Sequence, residues 1–366
     1  MAHPLYKVLT VVGARPQFVK AAALSRAIAD DGRLTEVIVH SGQHYDHNLS
    51  GSFFAELNIP APKYNLGIGS ASHNVQMAKF MLAYDDILTT EDPDLVIVYG
   101  DTNTTSAAAI ATAKRNIPLA HVEAGLREWN KAIPEEINKL LTDAVTDLYF
   151  CPTQTGVDNL ARSGVTEGVH LTGDISLDLL YGAGTKYMAK DELMQRYNLP
   201  HDYVLMTCHR DRNTDIKENL AAILSAIGQL EQTVILPLHP RTKEAIARHK
   251  LQGLVPDNMI LTEPLSFWEV QSLLRHASLA ITDSGGIIKE AYFHKVPCVI
   301  IDQQTEWMEA VAEGWAVVTG PHTSTIVTMA SQVQRPEAHT QALGDGKCGL
   351  RVVAAICEYL SERTAL

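Results

Sequence analysis

Short β-branched apolar runs recur along this chain, each ending in a polar or glycine-bearing tip and followed by a longer amphipathic stretch. That order of signals marks βα units laid side by side in a parallel sheet, whose strands are buried on both faces and so read as continuous apolar runs. The runs fall into two sets. The first is Lys7–Val12, Glu36–His40, Leu95–Tyr99, Leu119–Val122, Leu148–Cys151 and Val169–Thr172; the second is Val204–Thr207, Val234–Pro237, Met259–Thr262, Leu279–Thr282, Cys298–Ile301 and Ala316–Val318. A strand-poor stretch from Asp174 to His201 separates them. A single open sheet of that width is uncommon. The expectation is therefore an α/β chain with two Rossmann-like, doubly wound parallel-sheet domains, 1–180 and 181–366, whose last amphipathic helix could cross back to the first domain.

The 366 residues suffice for two such cores. Asp+Glu exceed Lys+Arg by 42 to 30 and the basic residues are scattered, which argues against a nucleic-acid partner; an anionic ligand would need a built pocket. No apolar run approaches the roughly 20 residues that span a bilayer, so no membrane role is expected. The five cysteines show no CxxC spacing, and Cys151, Cys208 and Cys298 sit beside apolar runs, as expected of a reducing, cytoplasmic setting.

Ligands of open α/β sheets bind beyond the carboxyl ends of the strands, so two facing sheets would place a site in an interdomain cleft. The tips carry the chemistry. Asp283-Ser284-Gly285-Gly286 follows a strand and opens a helix, where backbone N–H groups favour a phosphate; the same residues also suit an N-cap and a tight turn. Glu290, further into that helix, is placed to accept from ribose hydroxyls. Gly13-Ala14-Arg15-Pro16 lacks the GxGxxG spacing of a bound NAD, but Arg15 and Lys20 could neutralise a diphosphate.

Asp101, Glu123 and Glu135 fall at or just past strand ends. Asp101 and Glu123, on neighbouring strands, could lie close enough to raise each other's pKa, as a general acid or base requires. Asp101 also suits an N-cap, and Glu135 with Glu136 suits the positive end of a helix dipole. His209-Arg210 and His239-Pro240-Arg241 close neighbouring strands, where a histidine can balance a leaving phosphate. The cluster Gln43-His44-Tyr45-Asp46-His47 offers no third ligand at a metal-site spacing, so no metal is expected.

Taken in order, GARPQFVK, SGQH, YGDTNTT, HVEAGLR, PEEINKLLTD, LYFCPT, TGD, CHR, LHPR, TDSGGIIKEA, TEWMEA and GDGKCGLR resemble the non-hydrolysing UDP-N-acetylglucosamine 2-epimerase family over nearly the whole chain. The resemblance implies a GT-B type fold, a homodimer, no NAD and no metal. It also implies a UDP-sugar whose UDP is eliminated to a 2-acetamidoglucal and then added back after the C2 proton returns on the other face. By that resemblance Asp101, Glu123 and Glu135 are the carboxylates of proton transfer and oxocarbenium stabilisation, and His209 partners the leaving phosphate. Arg15, Ser284, Gly285 and Gly286 would hold the diphosphate, Glu290 the ribose, and Lys20 would support the site. Gln43, His44, Arg210 and His239 match a candidate activator site for a second UDP-sugar.

The sequence departs from the family pattern in the second half. Many members read HRRE where this chain has His209-Arg210-Asp211-Arg212, and many carry an arginine where it has Asp302, so Arg212 and Asp302 are expected to form an ion pair of reversed charge. The segment from Gly125 to Pro134 is short. It resembles a branch acting on UDP-2,3-diacetamido-2,3-dideoxy-glucuronate, for which Arg127 or Lys131 could supply a cation near a C6 carboxylate. A hydrolysing 2-epimerase, a GT-B glycosyltransferase and a UDP-sugar sensor without turnover are the other readings. Pro16 after Arg15 argues against the hydrolysing branch, and the intact carboxylates argue against a sensor.

Overall fold

The computed structural model describes residues 6–42, 54, 56–69 and 71–364. Strands β1 (Tyr6–Val12), β2 (Leu34–His40), β3 (Tyr64–Asn65), β4 (Leu95–Tyr99), β5 (Leu119–Val122), β6 (Leu148–Cys151) and β7 (Val169–Leu171) form one sheet in the order β3-β2-β1-β4-β5-β6-β7. Strands β8 (Tyr203–Thr207), β9 (Thr233–Pro237), β10 (Met259–Thr262), β11 (Leu279–Thr282), β12 (Cys298–Ile300) and β13 (Ala316–Val318) form another in the order β10-β9-β8-β11-β12-β13. Every pairing is parallel. Both are the doubly wound sheets expected, and each chain order reverses once, at β1/β4 and at β8/β11. β3, two residues long, has no apolar run to announce it.

The chain divides into two compact units: one runs to Gly182 and resumes at Leu343, the other is Ala183–Ala342. Each has its own core. In the first, Leu9, Val11, Val96 and Val98 of the central strands pack with Phe80 and Tyr84 of the helix His73–Glu91 and with Ala107, Ala108 and Ala109 of the helix Asn103–Lys114, whose alanines allow close approach to the sheet. In the second, Val204, Met206, Leu236, Ile281 and Val299 pack with Ile223 and Leu224 of the helix Lys217–Ile227.

The segment from Leu343 onward thus belongs with the first unit, so the second ends at Ala342 rather than at 366, and the last helix makes the crossing back that its amphipathic pattern allowed. The helix Cys348–Thr364 packs on the helix Arg15–Asp31, where a Cβ at Gly349 would lie 2.9 Å from Cβ of Ala27. Asp178 caps it, accepting from the backbone N–H groups of Cys348 at 3.1 Å and Gly349 at 2.7 Å. Among the described residues no helix is long and apolar enough to cross a membrane.

Candidate functional site

The reversal of strand order at β1/β4 puts the two tips that follow these strands side by side, and their backbone conformation is set by hydrogen bonds rather than left to the loops. Gln17, in the first turn of the helix Arg15–Asp31, accepts from the N–H groups of Gly13 at 2.7 Å and Ala14 at 3.0 Å. Its amide donates to the Tyr99 carbonyl at 2.8 Å, Thr105 Oγ1 at 2.9 Å and Thr102 Oγ1 at 3.1 Å. One buried side chain therefore stitches the β1 tip to the β4 tip. Its only trace in the sequence is its place at the third helical position, where Gln supports a capping box.

One turn deeper, Lys20 is buried and its Nζ pairs with Glu123 Oε2 at the tip of β5. Parallel register brings this about, because Tyr99 faces Val122 and so Gly100 faces Glu123. Gly100 has φ +60°, and a Cβ there would lie 3.1 Å from Glu123 Oε2 and 3.2 Å from Lys20 Nζ. Asp101, which follows, is 3.6 Å from the buried Lys139 Nζ, and Lys139 is also 3.7 Å from Glu128 Oε2. Asn138 donates to the Asp101 carbonyl at 2.9 Å.

Each of these two carboxylates thus faces an ammonium of its own, Glu123 that of Lys20 and Asp101 that of Lys139. Asp101 does not cap a helix: Thr102 does, its side chain accepting from Thr105 N–H. Glu135 stands exposed in the first turn of the helix Pro134–Asp143, and no hydrogen bond or ion pair among the described residues joins it to Asp101 or Glu123. Its neighbour Glu136 is buried and accepts from Glu128 N–H at 2.8 Å and Trp129 N–H at 3.2 Å, so it shapes the loop before the helix.

Lys139, Glu128 and Gln17 were not singled out from sequence; the lysine sits mid-helix in PEEINKLLTD, where no local pattern marks it as facing a tip. Arg127, offered above as a cation for a sugar carboxylate, has a partner within the protein. It is buried and bound to Asp143 Oδ2 at 2.6 Å, so it is committed to the protein rather than offered to a sugar carboxylate; Lys131 is exposed.

In the second unit the reversal at β8/β11 again sets two loaded tips side by side. Asp283, buried after β11, accepts from the backbone N–H groups of His209 and Arg210, each at 2.9 Å, and from Asn213 Nδ2 at 3.1 Å. This carboxylate fixes the turn after β8. The His209 ring, its Nδ1 3.6 Å from Asp283 Oδ1, stacks on His239 with centroids 5.2 Å apart. His239 Nδ1 accepts from Arg241 N–H at 3.2 Å and caps the helix Pro240–Arg248, while Arg241 itself binds Asp215 at 2.6 Å. The structure therefore brings together two histidines that the sequence assigned to different sites.

Ser284 is the N-cap of the helix Gly285–Phe293 but makes no side-chain cap bond. A Cβ at Gly285 would lie 3.2 Å from Trp307 Nε1 and 3.8 Å from Arg210 Nη2, which accounts for glycine there. Glu290 is held by Gln271 Nε2 at 2.5 Å, and Gln271 Oε1 lies 3.0 Å from His294 Nε2. Burial pushes the His294 imidazole down to about 3, with Arg275 and His276 adding to the shift, so this ring is neutral.

The expected reversed-charge pair is present: Arg212 Nε is 2.9 Å from Asp302 Oδ1, and Arg210 Nε is 3.8 Å from the other oxygen. Burial raises the Asp302 pKa, and the two arginines oppose it. The Cys208 thiol, fully buried beside Asp283, is pushed far up by burial and is no nucleophile. The Arg15 side chain, Gln43 and His44 lie outside the described part of the structure. Among the described residues no group of three or more His, Cys, Asp or Glu is arranged to hold a metal ion.

Two parallel doubly wound sheets, each with its polar groups gathered at carboxyl tips beside the point of reversal, define an α/β protein of the GT-B type. The sequence matches the family model described as UDP-N-acetylglucosamine 2-epimerase over residues 26–357, and the chain belongs to that family. It is 41% identical over 355 residues to a UDP-N-acetylglucosamine 2-epimerase homolog of Methanococcus maripaludis, covering 96% of this chain and 99% of that one. It is 39% identical over 364 residues to the UDP-2,3-diacetamido-2,3-dideoxy-D-glucuronate 2-epimerase of Pseudomonas aeruginosa, with coverage of 97% and 99%. Among solved structures, the Methanocaldococcus jannaschii UDP-GlcNAc 2-epimerase in complex with UDP-GlcNAc and UDP has a TM-score of 0.89 at 34% identity, with coverage of 96% and 99%.

Proposed function

We propose that this chain inverts C2 of UDP-N-acetylglucosamine, giving UDP-N-acetylmannosamine by elimination of UDP to a 2-acetamidoglucal and its re-addition. The observation that carries the reading is the set of strand-tip carboxylates with lysine partners, Glu123 with Lys20 and Asp101 with Lys139, in a chain of this family. Elimination needs a base for the C2 proton and a clamp on the departing diphosphate; re-addition needs a proton donor on the other face. Asp101, Glu123 and Glu135 are assigned the proton transfers and the stabilisation of oxocarbenium character at C1. Lys20 orients Glu123. His209, beside Asp283 and His239, is assigned the leaving phosphate; Arg15 and the helix start at Ser284, Gly285 and Gly286 the diphosphate; and Glu290, steadied by Gln271, the ribose.

Arg127 is spoken for by Asp143, which removes one of the two cations that would have favoured a uronate. Gln43, His44, Arg210 and His239 remain the candidate activator site, with Arg210 already near Asp302. The five cysteines are all buried and none is in a disulfide, which supports a reducing cytoplasmic setting, and the working unit is taken to be a homodimer.

Incubation with UDP-GlcNAc in D2O, followed by NMR, tests the reaction. The reading requires deuterium at C2 and UDP still attached in both epimers. Free UDP with reducing sugar would make the chain a hydrolase, and an unchanged substrate alongside turnover of the diacetamido uronate would move the assignment to that sugar.

A further inference from the structure

His121 lies in the middle of β5, is 1% exposed, and belongs to none of the roles assigned so far. Its Nε2 is 2.8 Å from the carbonyl oxygen of Gly100, and its Nδ1 is 2.7 Å from Asp143 Oδ1. A carbonyl oxygen can only accept, so Nε2 carries a hydrogen. Asp143 also receives Arg127 at 2.6 Å and the Gly125 N–H at 3.3 Å on its other oxygen. Burial alone would push the Asp143 carboxyl up, but hydrogen bonding and charge from His121 and Arg127 more than reverse this and hold it below the usual carboxylate range.

Two groups beside the cluster stay neutral, and the Asp147 carboxylate stands near one of them, Tyr149. The Tyr149 hydroxyl donates to the Asp143 carbonyl at 3.0 Å and is pushed up to about 12 by burial, and burial likewise pushes the Cys151 thiol up to about 12. The cluster thus joins one carboxylate to the His121 ring and to the Arg127 guanidinium.

Each arm of this cluster ends where a candidate catalytic group begins. Gly100 precedes Asp101; Gly125 follows Glu123 by two residues; Asp143 closes the helix whose first turn carries Glu135. The turns so held are left-handed, with φ +60° at Gly100, +73° at Glu123 and +80° at Gly125. For Glu123, a residue with a side chain, that conformation is costly and persists only where surrounding bonds enforce it.

We propose that His121 is a positioning residue of the epimerase: its two ring nitrogens tie the Gly100 carbonyl to Asp143, and with Asp143 and Arg127 it locks the tips bearing Asp101, Glu123 and Glu135 in register. The proposal rests on the reading of those carboxylates as the proton-transfer groups. A residue acting in this way should govern turnover and leave nucleotide affinity alone.

Two measurements test it. In the wild-type protein, long-range proton–nitrogen correlation of 15N-labelled His121 should show a hydrogen on Nε2, as its contact with the Gly100 carbonyl requires; an Nε2 without a hydrogen overturns the proposal. In His121→Gln, whose single amide nitrogen cannot take the place of two ring nitrogens on opposite sides, kcat for UDP-GlcNAc should fall by ~100-fold, the scale of a small misplacement of reacting groups, with the Kd of UDP unchanged. A wild-type kcat in the variant overturns the proposal. Should the variant not fold, the wild-type spectrum decides alone. A wild-type protein that turns over no UDP-GlcNAc overturns the functional reading, and the spectrum still decides the state of His121.

Discussion

Gly100 shows how little slack the site leaves. Its φ of +60° disfavours any side chain, and the space a Cβ would need is taken by the Glu123–Lys20 pair. Gly100→Ala should therefore lower kcat by ~100-fold through displacement of that pair, while binding of UDP is retained; steady-state kinetics with a UDP titration would check it. At this scale the sequence was informative wherever a residue sits at a tip whose neighbours are known from strand order, as for Asp101, Glu123, His209 and Ser284. It was silent on residues that reach a tip from inside a helix. Lys139 and Gln17 are such residues, and their direction depends on helix phase and on packing against another element. The Arg212–Asp302 pair was legible because the two changes from the family pattern are complementary in charge and fall on nearby tips.

Among the elements, the C-terminal helix is the one whose place the sequence left open. Its amphipathic pattern fits either unit; what decides is Asp178, 170 residues before Cys348 in the chain but close in space to the N–H groups of Cys348 and Gly349. Burial raises the Asp178 carboxyl from 3.8 to about 6, its two backbone bonds notwithstanding. An acid whose pKa is raised on folding gives a contribution that is complete below its unfolded pKa and is lost as pH rises through the folded one. The stability advantage of wild type over Asp178→Asn should therefore shrink from about pH 4 to about pH 6, read as the difference between their thermal midpoints. A difference that grows over that window would contradict the assignment.

At the scale of the whole molecule, two sheets and their strand orders follow from the two sets of apolar runs, because a buried parallel strand leaves an unmistakable run and right-handed crossovers fix the winding. The two-residue β3 did not follow, since no apolar run announces it, and the return of the last segment to the first unit was legible only as one of two places open to an amphipathic helix. The topology puts the reversals of strand order where the polar tips are, and the central claim is that the tips of the first unit transfer the C2 proton. The most direct test is the rate of deuterium entry at C2 in Glu123→Gln saturated with UDP-GlcNAc in D2O. Loss of a general acid–base group predicts a fall of at least ~100-fold with UDP still bound; deuterium entry at the wild-type rate would contradict the account.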